Sequence, residues 1–318
     1  MQKAIITGAT GAIGIALIQK LIKEETEVVV VCHKNSKRID SIPNHPLVCI
    51  MECDLDELCK LPAMISHNGI DTKSAVFYHF AWDGTFGNAR NNVEGQIRNI
   101  QYTIEAVRVA NELGCKRFIG AGSQAEYGRC NFPLTPKMPA FPENGYGIAK
   151  LCAGNMSRLK CDELNMEHVW TRILSVYGPY DGENTLVSGM IKKLLEGEHV
   201  SCTKGEQIWD FLFAEDAAEA FYLLGCADGD IVNGKTYVIG SGDGRPLSEY
   251  INILKSVVSP SAKIGFGEIA YSPKQVMHLE ADISELKQDV GFMPCISFEE
   301  GIARTLTWID SRKEHGLK

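Results

Sequence analysis

Three side chains in this sequence have the types and spacing to move a proton at a carbonyl. Tyr146 and Lys150, in Tyr146-Gly147-Ile148-Ala149-Lys150, stand four apart and so share one face of a helix. A free tyrosine, with a pKa of about 10, is a poor acid or base near neutrality. A cation beside it favours the phenolate and brings it towards the working range. Ser123, closing the run Gly120-Ala121-Gly122-Ser123, can hydrogen-bond the same substrate oxygen. Tyr-x-x-x-Lys also arises by chance on surface helices, so its weight depends on what precedes it.

What precedes it is a glycine turn. Gly8-Ala9-Thr10-Gly11-Ala12-Ile13-Gly14 has its glycines three apart, follows the short apolar strand Lys3–Thr7 and opens a helix carrying Ile13, Leu17, Ile18, Leu21 and Ile22. A residue without Cβ lets the backbone turn tightly and approach a pyrophosphate, and the helix N-terminus offers that anion free N–H groups and a positive dipole end. The turn predicts a bound dinucleotide held by Gly8, Thr10, Gly11, Ile13 and Gly14, against the alternative of a purely structural turn. The end of the second strand, Val28–Cys32, selects between dinucleotides. A NAD site wants a carboxylate there for the ribose 2′-hydroxyl, which would repel a 2′-phosphate. Here Cys32 is followed by His33-Lys34-Asn35-Ser36-Lys37-Arg38. The reading is NADP, with His33, Ser36, Lys37 and Arg38 at the phosphate and NAD as the alternative. A solvated basic turn is the competing structural account. Asp54 and Leu55, after the third strand, are candidates for the adenine edge.

The elements that must position these residues alternate. Apolar strands at Lys3–Thr7, Val28–Cys32, Val48–Met51, Ala75–Phe80, Arg117–Gly120 and His168–Ile173 are separated by helical stretches, notably Asn92–Leu113 and Gly147–Leu164. Continuous apolar strands buried on both faces, alternating with helices, predict right-handed βαβ units. The expected fold is α/β: a doubly wound parallel Rossmann sheet with a smaller C-terminal α/β substrate domain. The cofactor half spans residues 1–174, with a return at about 207–240, and residues 175–318 form the substrate half. Leu174, at the junction, is a further cofactor candidate. Past Tyr177 the alternation weakens and Gly and Pro become frequent, with helical runs at Leu186–Leu195 and Asp216–Leu224; Asp216 is read as a helix cap.

Composition narrows the class. The 318 residues correspond to roughly two domains or one large α/β unit. Apolar residues make up 45% and charged residues 23%, an ordinary globular balance. The net charge of −8 argues against a nucleic-acid or membrane-surface binder, and no run approaches the length of a membrane span. Eleven scattered Cys without a Cys-x-x-Cys pair, and no signal-peptide h-region before the first glycines, read as free thiols in a reducing cytoplasm. No metal-ligand spacing is present, so no metal is expected.

Taken in order, these pieces resemble the extended short-chain dehydrogenase/reductase superfamily, in its nucleotide-sugar epimerase, dehydratase and reductase branch. The resemblance rests on TGATGAIG at 7–14, HFAW at 79–82, NVEGQIRN at 92–99 and SQAEYG at 123–128. It continues through YGIAK at 146–150, RILSVYGP at 172–179 and WDFLFAEDAAEAF at 209–221, then the tail around 281–301. It implies hydride transfer, a homodimer built through two helices per subunit, Phe80, Ala81 and Trp82 lining the cofactor, and Asn99 beneath it. Two departures matter. Where the 4,6-dehydratases carry an Asp-Glu pair, this chain has Gln124 and Ala125, which do neither acid nor base work. Where many UDP-sugar members place a diphosphate-clamping Arg, it has Trp209, and another family Arg falls near Ser272, with Lys274 as a substitute.

The remaining substrate candidates carry two readings each. Trp82 and Asp83 either touch substrate or shape their loop. Glu126 is a second carboxylate near the reacting carbon or, the favoured account, a polar strand-end residue. Tyr177 and Tyr180 flank a Gly-Pro turn and are placed on the cleft; Arg172 is read as a brace for its floor. The expected activity is NADPH-dependent reduction of a 4-keto-6-deoxy nucleotide sugar, with Tyr146 as proton donor. The alternatives are a NAD-retaining nucleotide-sugar 4-epimerase and an NADP-sensing binding module.

Overall fold

The computed structural model describes residues 1–314. Its first half runs β1 (Lys3–Thr7), α1 (Ala12–Lys23), β2 (Glu27–Cys32), β3 (Val48–Glu52), α2 (Leu61–His67), β4 (Val76–His79), α3 (Val93–Glu112), β5 (Arg117–Ser123), α4 (Gly145–Glu163) and β6 (Glu167–Ile173). The second half runs β7 (Ser175–Tyr177), α5 (Leu186–Leu195), β8 (Val200–Cys202), β9 (Ile208–Trp209), β10 (Phe211–Phe213), α6 (Ala214–Cys226) and α7 (Gly229–Val232). It ends with β11 (Lys235–Ile239), β12 (Arg245–Pro246), α8 (Leu247–Val258), β13 (Ile264–Phe266), α9 (Ser284–Val290) and α10 (Phe298–Glu314).

Strands β11-β6-β5-β4-β1-β2-β3 form one seven-stranded sheet, parallel throughout, so the predicted doubly wound α/β fold is what the chain adopts. The strand order reverses between β1 and β4, which opens a crevice at their C-terminal ends. Period-two alternation explains why the sheet is buried on both faces. Ile6, Val28 and Val30 pack into the layer with α1 and α6, whereas Ile5, Val29 and Val31 pack into the layer with α2 and α3. Each such side chain, fully buried, contributes about 1.5–3 kcal/mol. Arg117, at the start of β5, is buried and clasps the end of α6: its guanidinium donates to the carbonyls of Leu224, Gly225 and Ala227 and pairs with Glu167.

The helix and strand ends refine the sequence expectation. Asn92 and Asn144 cap α3 and α4, each accepting a backbone N–H three residues on, so α4 begins before Gly147. β5 extends past Gly120 to Ser123, and β4 stops at His79. Helix α6 begins at Ala214, and Asp216, expected to cap it, lies inside its first turn. Its carboxylate instead accepts from Cys295 N and Ile296 N, pinning the irregular segment before α10. The C-terminal lobe has its own core, built on α5, α8, α10 and the aromatic group Tyr177, Phe211, Phe213, Tyr250 and Phe298. Among the described residues, no helix is long and apolar enough to cross a membrane.

Two buried histidines tie stability to pH. His79 sits between Thr7 and Thr103; His168 bonds Ser157 and stacks between Phe118 and Trp170. Burial, together with the charges of Lys150 and Arg158 respectively, draws both rings down to about 3. The unfolded chain then binds protons below about pH 6.5 that the folded chain refuses. Stability is fully present above that value and falls as pH falls towards 3, by about 1.4 kcal/mol per pH unit for each ring. Urea midpoints measured from pH 7 down to 4.5 check this: His168→Gln is expected to show a shallower decline than the wild type, and parallel curves would contradict it.

Candidate active site

The glycine turn has three different physical demands. Gly8 has φ +70, and a Cβ there would lie 2.4 Å from Ala81 N, so the turn presses directly on the backbone after β4. A Cβ on Gly14 would lie 2.4 Å from Ala9 O, so Gly14 lets α1 pack onto its own turn. Gly11, the residue capping α1, has nothing within 4 Å of its Cβ position. The protein gives Gly11 no internal reason to be glycine; the open space in front of the first-turn N–H groups does. Beside the turn, reached through Gly8 and Thr10, is a cavity of about 540 Å³ lined by Thr7, Gly8, Thr10, Cys32, His33, Ser36, Asp54, Leu55, Ala81, Trp82 and Asp83. A Cβ-free cradle at a helix N-terminus, opening into a long cleft, fits a dinucleotide.

Several cofactor candidates lie elsewhere. Lys37 and Arg38 line a neighbouring cavity with Tyr180 and Trp308, leaving His33 and Ser36 as the residues of that turn on the cofactor cavity. The separation arises because the turn curls back on itself, Ser36 N bonding His33 O and Ile39 N bonding Ser36 O. The Phe80 ring packs on Phe221 of α6, 4.7 Å between centroids, so Phe80 turns into the core and leaves the cavity wall to Ala81 and Trp82. Ile13 packs against the core beneath α1. Leu174 is buried with Tyr127 and Val238, its N–H bonded to Ile239 O. Asn99 is buried and exchanges two hydrogen bonds with the Asp83 backbone, so it supports the cavity wall from behind.

Ser123, Tyr146 and Lys150 converge behind Trp82, a wall residue of this cavity: Ser123 hydrogen-bonds Tyr146, and Tyr146 and Lys150 both pack on the indole. Burial pushes the Tyr146 phenol up from its ordinary value; hydrogen bonding to Ser123 and the Arg90 charge pull it back. Lys150 is buried, donates to Ala121 O at 2.5 Å and lies 3.8 Å from the Trp82 ring centroid and 5.8 Å from that of Tyr146. Burial draws its ammonium down to about 7. Trp82 meets Tyr146 edge-on and anchors its indole N–H on Gln96.

Glu126 does not face the reacting space. It is fully buried beneath Ser123, accepting from Ser123 N at 2.8 Å, Trp170 Nε1 at 3.1 Å and Arg172 Nε at 2.8 Å. Burial raises its carboxyl, and Arg172 with the other donors opposes the rise. Its work is to hold the turn 123–126, where the Ser123 hydroxyl accepts from Ala125 N. Trp170 fits only because Gly120, Gly122 and Gly154 lack side chains; a Cβ on any of them would fall within 2.6 Å of the indole. Gly147 likewise lets α4 rest on Ala125 O, 2.2 Å from where a Cβ would be.

A further cavity of about 250 Å³ is lined by Gln124, Lys274, Arg90, Asn91 and Asn144 among others, and meets Tyr146 only through Arg90. It brings together two sequence candidates, Gln124 and Lys274. Tyr177 is not on it: the ring is buried in the C-terminal lobe and its hydroxyl donates to Phe298 O. Tyr180 turns to Trp308. Trp209 lies on neither cavity, donating its indole N–H to Ser175 Oγ. Sequence reasoning missed Arg90 and Gln96. Arg90 lies in an irregular loop that no periodicity or motif announces, whereas Gln96 stands in the 92–99 motif on α3, which sequence reasoning reads for Asn99 alone.

Set against known proteins, residues 4–240 match the family model described as NAD dependent epimerase/dehydratase family. The chain is 22% identical to dTDP-glucose 4,6-dehydratase of Neisseria meningitidis, covering 97% of this chain and 93% of that one. It is 27% identical to a putative UDP-glucose 4-epimerase of Methanocaldococcus jannaschii, over 96% and 97%. It is 24% identical to dTDP-4-dehydro-6-deoxyglucose reductase of Escherichia coli, over 95% and 96%. Among solved structures it resembles UDP-glucuronic acid 4-epimerase of Bacillus cereus in complex with UDP-glucuronic acid and NAD, with TM-score 0.83, 21% identity, and 98% and 99% of the chains covered. At that identity the likeness is one of fold.

The glycine geometry separates folding from binding. Gly11→Ala is expected to melt like the wild type yet bind nicotinamide dinucleotide at least about tenfold more weakly, a loss of about 1.4 kcal/mol. Gly14→Ala is expected to lose about 1–3 kcal/mol of stability through overpacking. Thermal melts and fluorescence titration with NADPH and NADH check both; undiminished binding by Gly11→Ala would remove the cradle.

Proposed function

The chain belongs to the NAD dependent epimerase/dehydratase family, nucleotide-sugar enzymes of the extended short-chain dehydrogenase/reductase type, and from that premise we propose that it is an NADPH-dependent reductase of a 4-keto-6-deoxy nucleotide sugar. The observation that carries the reading is the turn after β5. Ser123 is followed by Gln124 and Ala125, neither of which can act as acid or base to eliminate water, while the Ser123–Tyr146–Lys150 set is complete. The similarity to dTDP-4-dehydro-6-deoxyglucose reductase supports the same class of reaction.

A bound nicotinamide dinucleotide supplies the hydride for the keto carbon. Tyr146 donates its phenolic proton to the keto oxygen, and Ser123 hydrogen-bonds that oxygen as charge develops on it. Lys150, near its own midpoint at about 7, is read as supporting the phenolate left behind and holding the nicotinamide ribose once it leaves its contact with Ala121 O. Cys32 ends β2 in the cavity wall where a 2′-hydroxyl partner would be acidic, which favours NADP with His33 and Ser36 at the phosphate. The placement of Lys37 and Arg38 on a different cavity favours the second reading, a 4-epimerase that retains NAD. On this proposal residues 1–174, with the return through β11, bind cofactor, and residues 175–318 bind substrate. Two copies pair through α3 and α4, where Ile97, Ile148, Met156 and Leu159 are exposed. We place the enzyme in the cytoplasm, a reading supported by its eleven scattered cysteines, all free thiols among the described residues.

Purified protein incubated with NADPH and 4-keto-6-deoxy nucleotide sugars is expected to consume NADPH, and Tyr146→Phe to lose about 10²–10⁴-fold of that rate. Absence of NADPH oxidation, with NAD retained through purification and 4-epimers interconverted, would replace the reductase by the epimerase.

A further inference from the structure

The cation packed most closely on Tyr146 is not Lys150. The guanidinium of Arg90 lies 4.4 Å from the Tyr146 ring centroid, against 5.8 Å for Lys150 Nζ. Lys150 is also committed elsewhere, to Ala121 O and the face of Trp82. Arg90 reaches its place because its loop is fastened to the start of α4. Asn91 Oδ1 accepts from Gly145 N at 2.9 Å, and Gly145 lies so close that a Cβ would stand 3.0 Å from Arg90 O. From the other side, Gln96 holds the loop by donating to Gly84 O and Ala89 O, and Arg90 itself donates to Thr85 O. No carboxylate pairs with Arg90 among the described residues, so its charge is not cancelled locally.

We propose that Arg90 is a positioning residue for the proton donor: a permanently charged guanidinium stacked on the Tyr146 ring that favours the phenolate and sets the pH range over which Tyr146 works. It rests on the reading of Tyr146 as proton donor. The groups that act on the phenol are Arg90 from the 84–92 loop, Lys150 from α4, Ser123 from the end of β5 by hydrogen bond, and the charge of Glu126 buried beneath Ser123. Glu126 opposes ionisation, but Arg172 of β6 pairs with it at 2.8 Å. Lys150 loses charge through the neutral range, whereas a guanidinium keeps its charge throughout. Arg90 is therefore the fixed part of the field and Lys150 the variable part.

The test is an ultraviolet titration of tyrosinate in the full chain, with each variant measured in the presence and absence of Tyr146→Phe so that the difference reports Tyr146 alone. Arg90→Gln is expected to raise the Tyr146 midpoint by about one pH unit, a tenfold loss of phenolate at a given pH, and Arg90→Lys to restore part of it. Asn91→Ala, which frees the loop from α4 while keeping Arg90, is expected to raise it as well, and stands in if Arg90→Gln does not fold. Equal midpoints in wild type and variants overturn the proposal. In turnover, the alkaline limb of kcat/KM is expected to move up with the midpoint; a rise in KM with an unmoved limb would make Arg90 a substrate contact instead and overturn it too. The titration needs no substrate, so failure of the NADPH reaction alongside a shifted midpoint would remove the reductase reading and leave Arg90 in its role.

Discussion

The site depends on one buried carboxylate. Glu126 is shut away from water under the end of β5, where an unpaired charge would cost several kcal/mol, and it is tolerated because three donors converge on it. One of those donors is the backbone N–H of Ser123, another the guanidinium of Arg172, the third the indole of Trp170. The arrangement fixes the 123–126 turn against β6. The same turn carries the shelf on which α4 rests, Ala125 O against Gly147. Ser123 comes from one element and Tyr146 from another, and their facing positions follow from a contact that touches neither hydroxyl.

That contact has space requirements which spread through the layer. Trp170 occupies room left by glycines on β5 and α4, and its ring continues a stack through His168 and Phe118 to Phe77. Interiors at this density respond to the addition of a single methyl group. Small residues in β5, which look like weak strand formers, are thus the condition for a large one in β6.

The second organising feature is the segment from Phe80 to Asn92. Its backbone lies against Gly8, its Asp83 is held by Asn99, its Trp82 by Gln96, and its Asn91 fastens to the head of α4. One irregular stretch therefore walls the cofactor cavity at one end and presents Arg90 to Tyr146 at the other. Buried polar side chains of α3 hold it rigidly, which is why a loop can position chemistry as well as a helix does.

The strand–turn–helix start, the parallel alternating order, the Ser123–Tyr146–Lys150 spacing and the family were legible in the amino-acid sequence, because each is a local rule: glycine where a Cβ cannot stand, apolar residues at period two, side chains four apart on one helix face. The turn after β2 was legible as basic, but not in which direction its side chains point, and only the folded turn put His33 and Ser36 on the cofactor cavity and Lys37 and Arg38 on another. Glu126 read as one of two things, and the choice was made by Trp170 and Arg172, more than 40 residues further along the chain. Phe80, Leu174 and Tyr177 stood in the right motifs, yet they turn into cores whose other halves come from α6, β11 and α10. Arg90 had no signature at all. The sequence by itself determined which elements form and which residues could do chemistry. Tertiary structure decided which of them meet, because burial and partnering depend on juxtaposition between distant segments rather than on spacing along one of them.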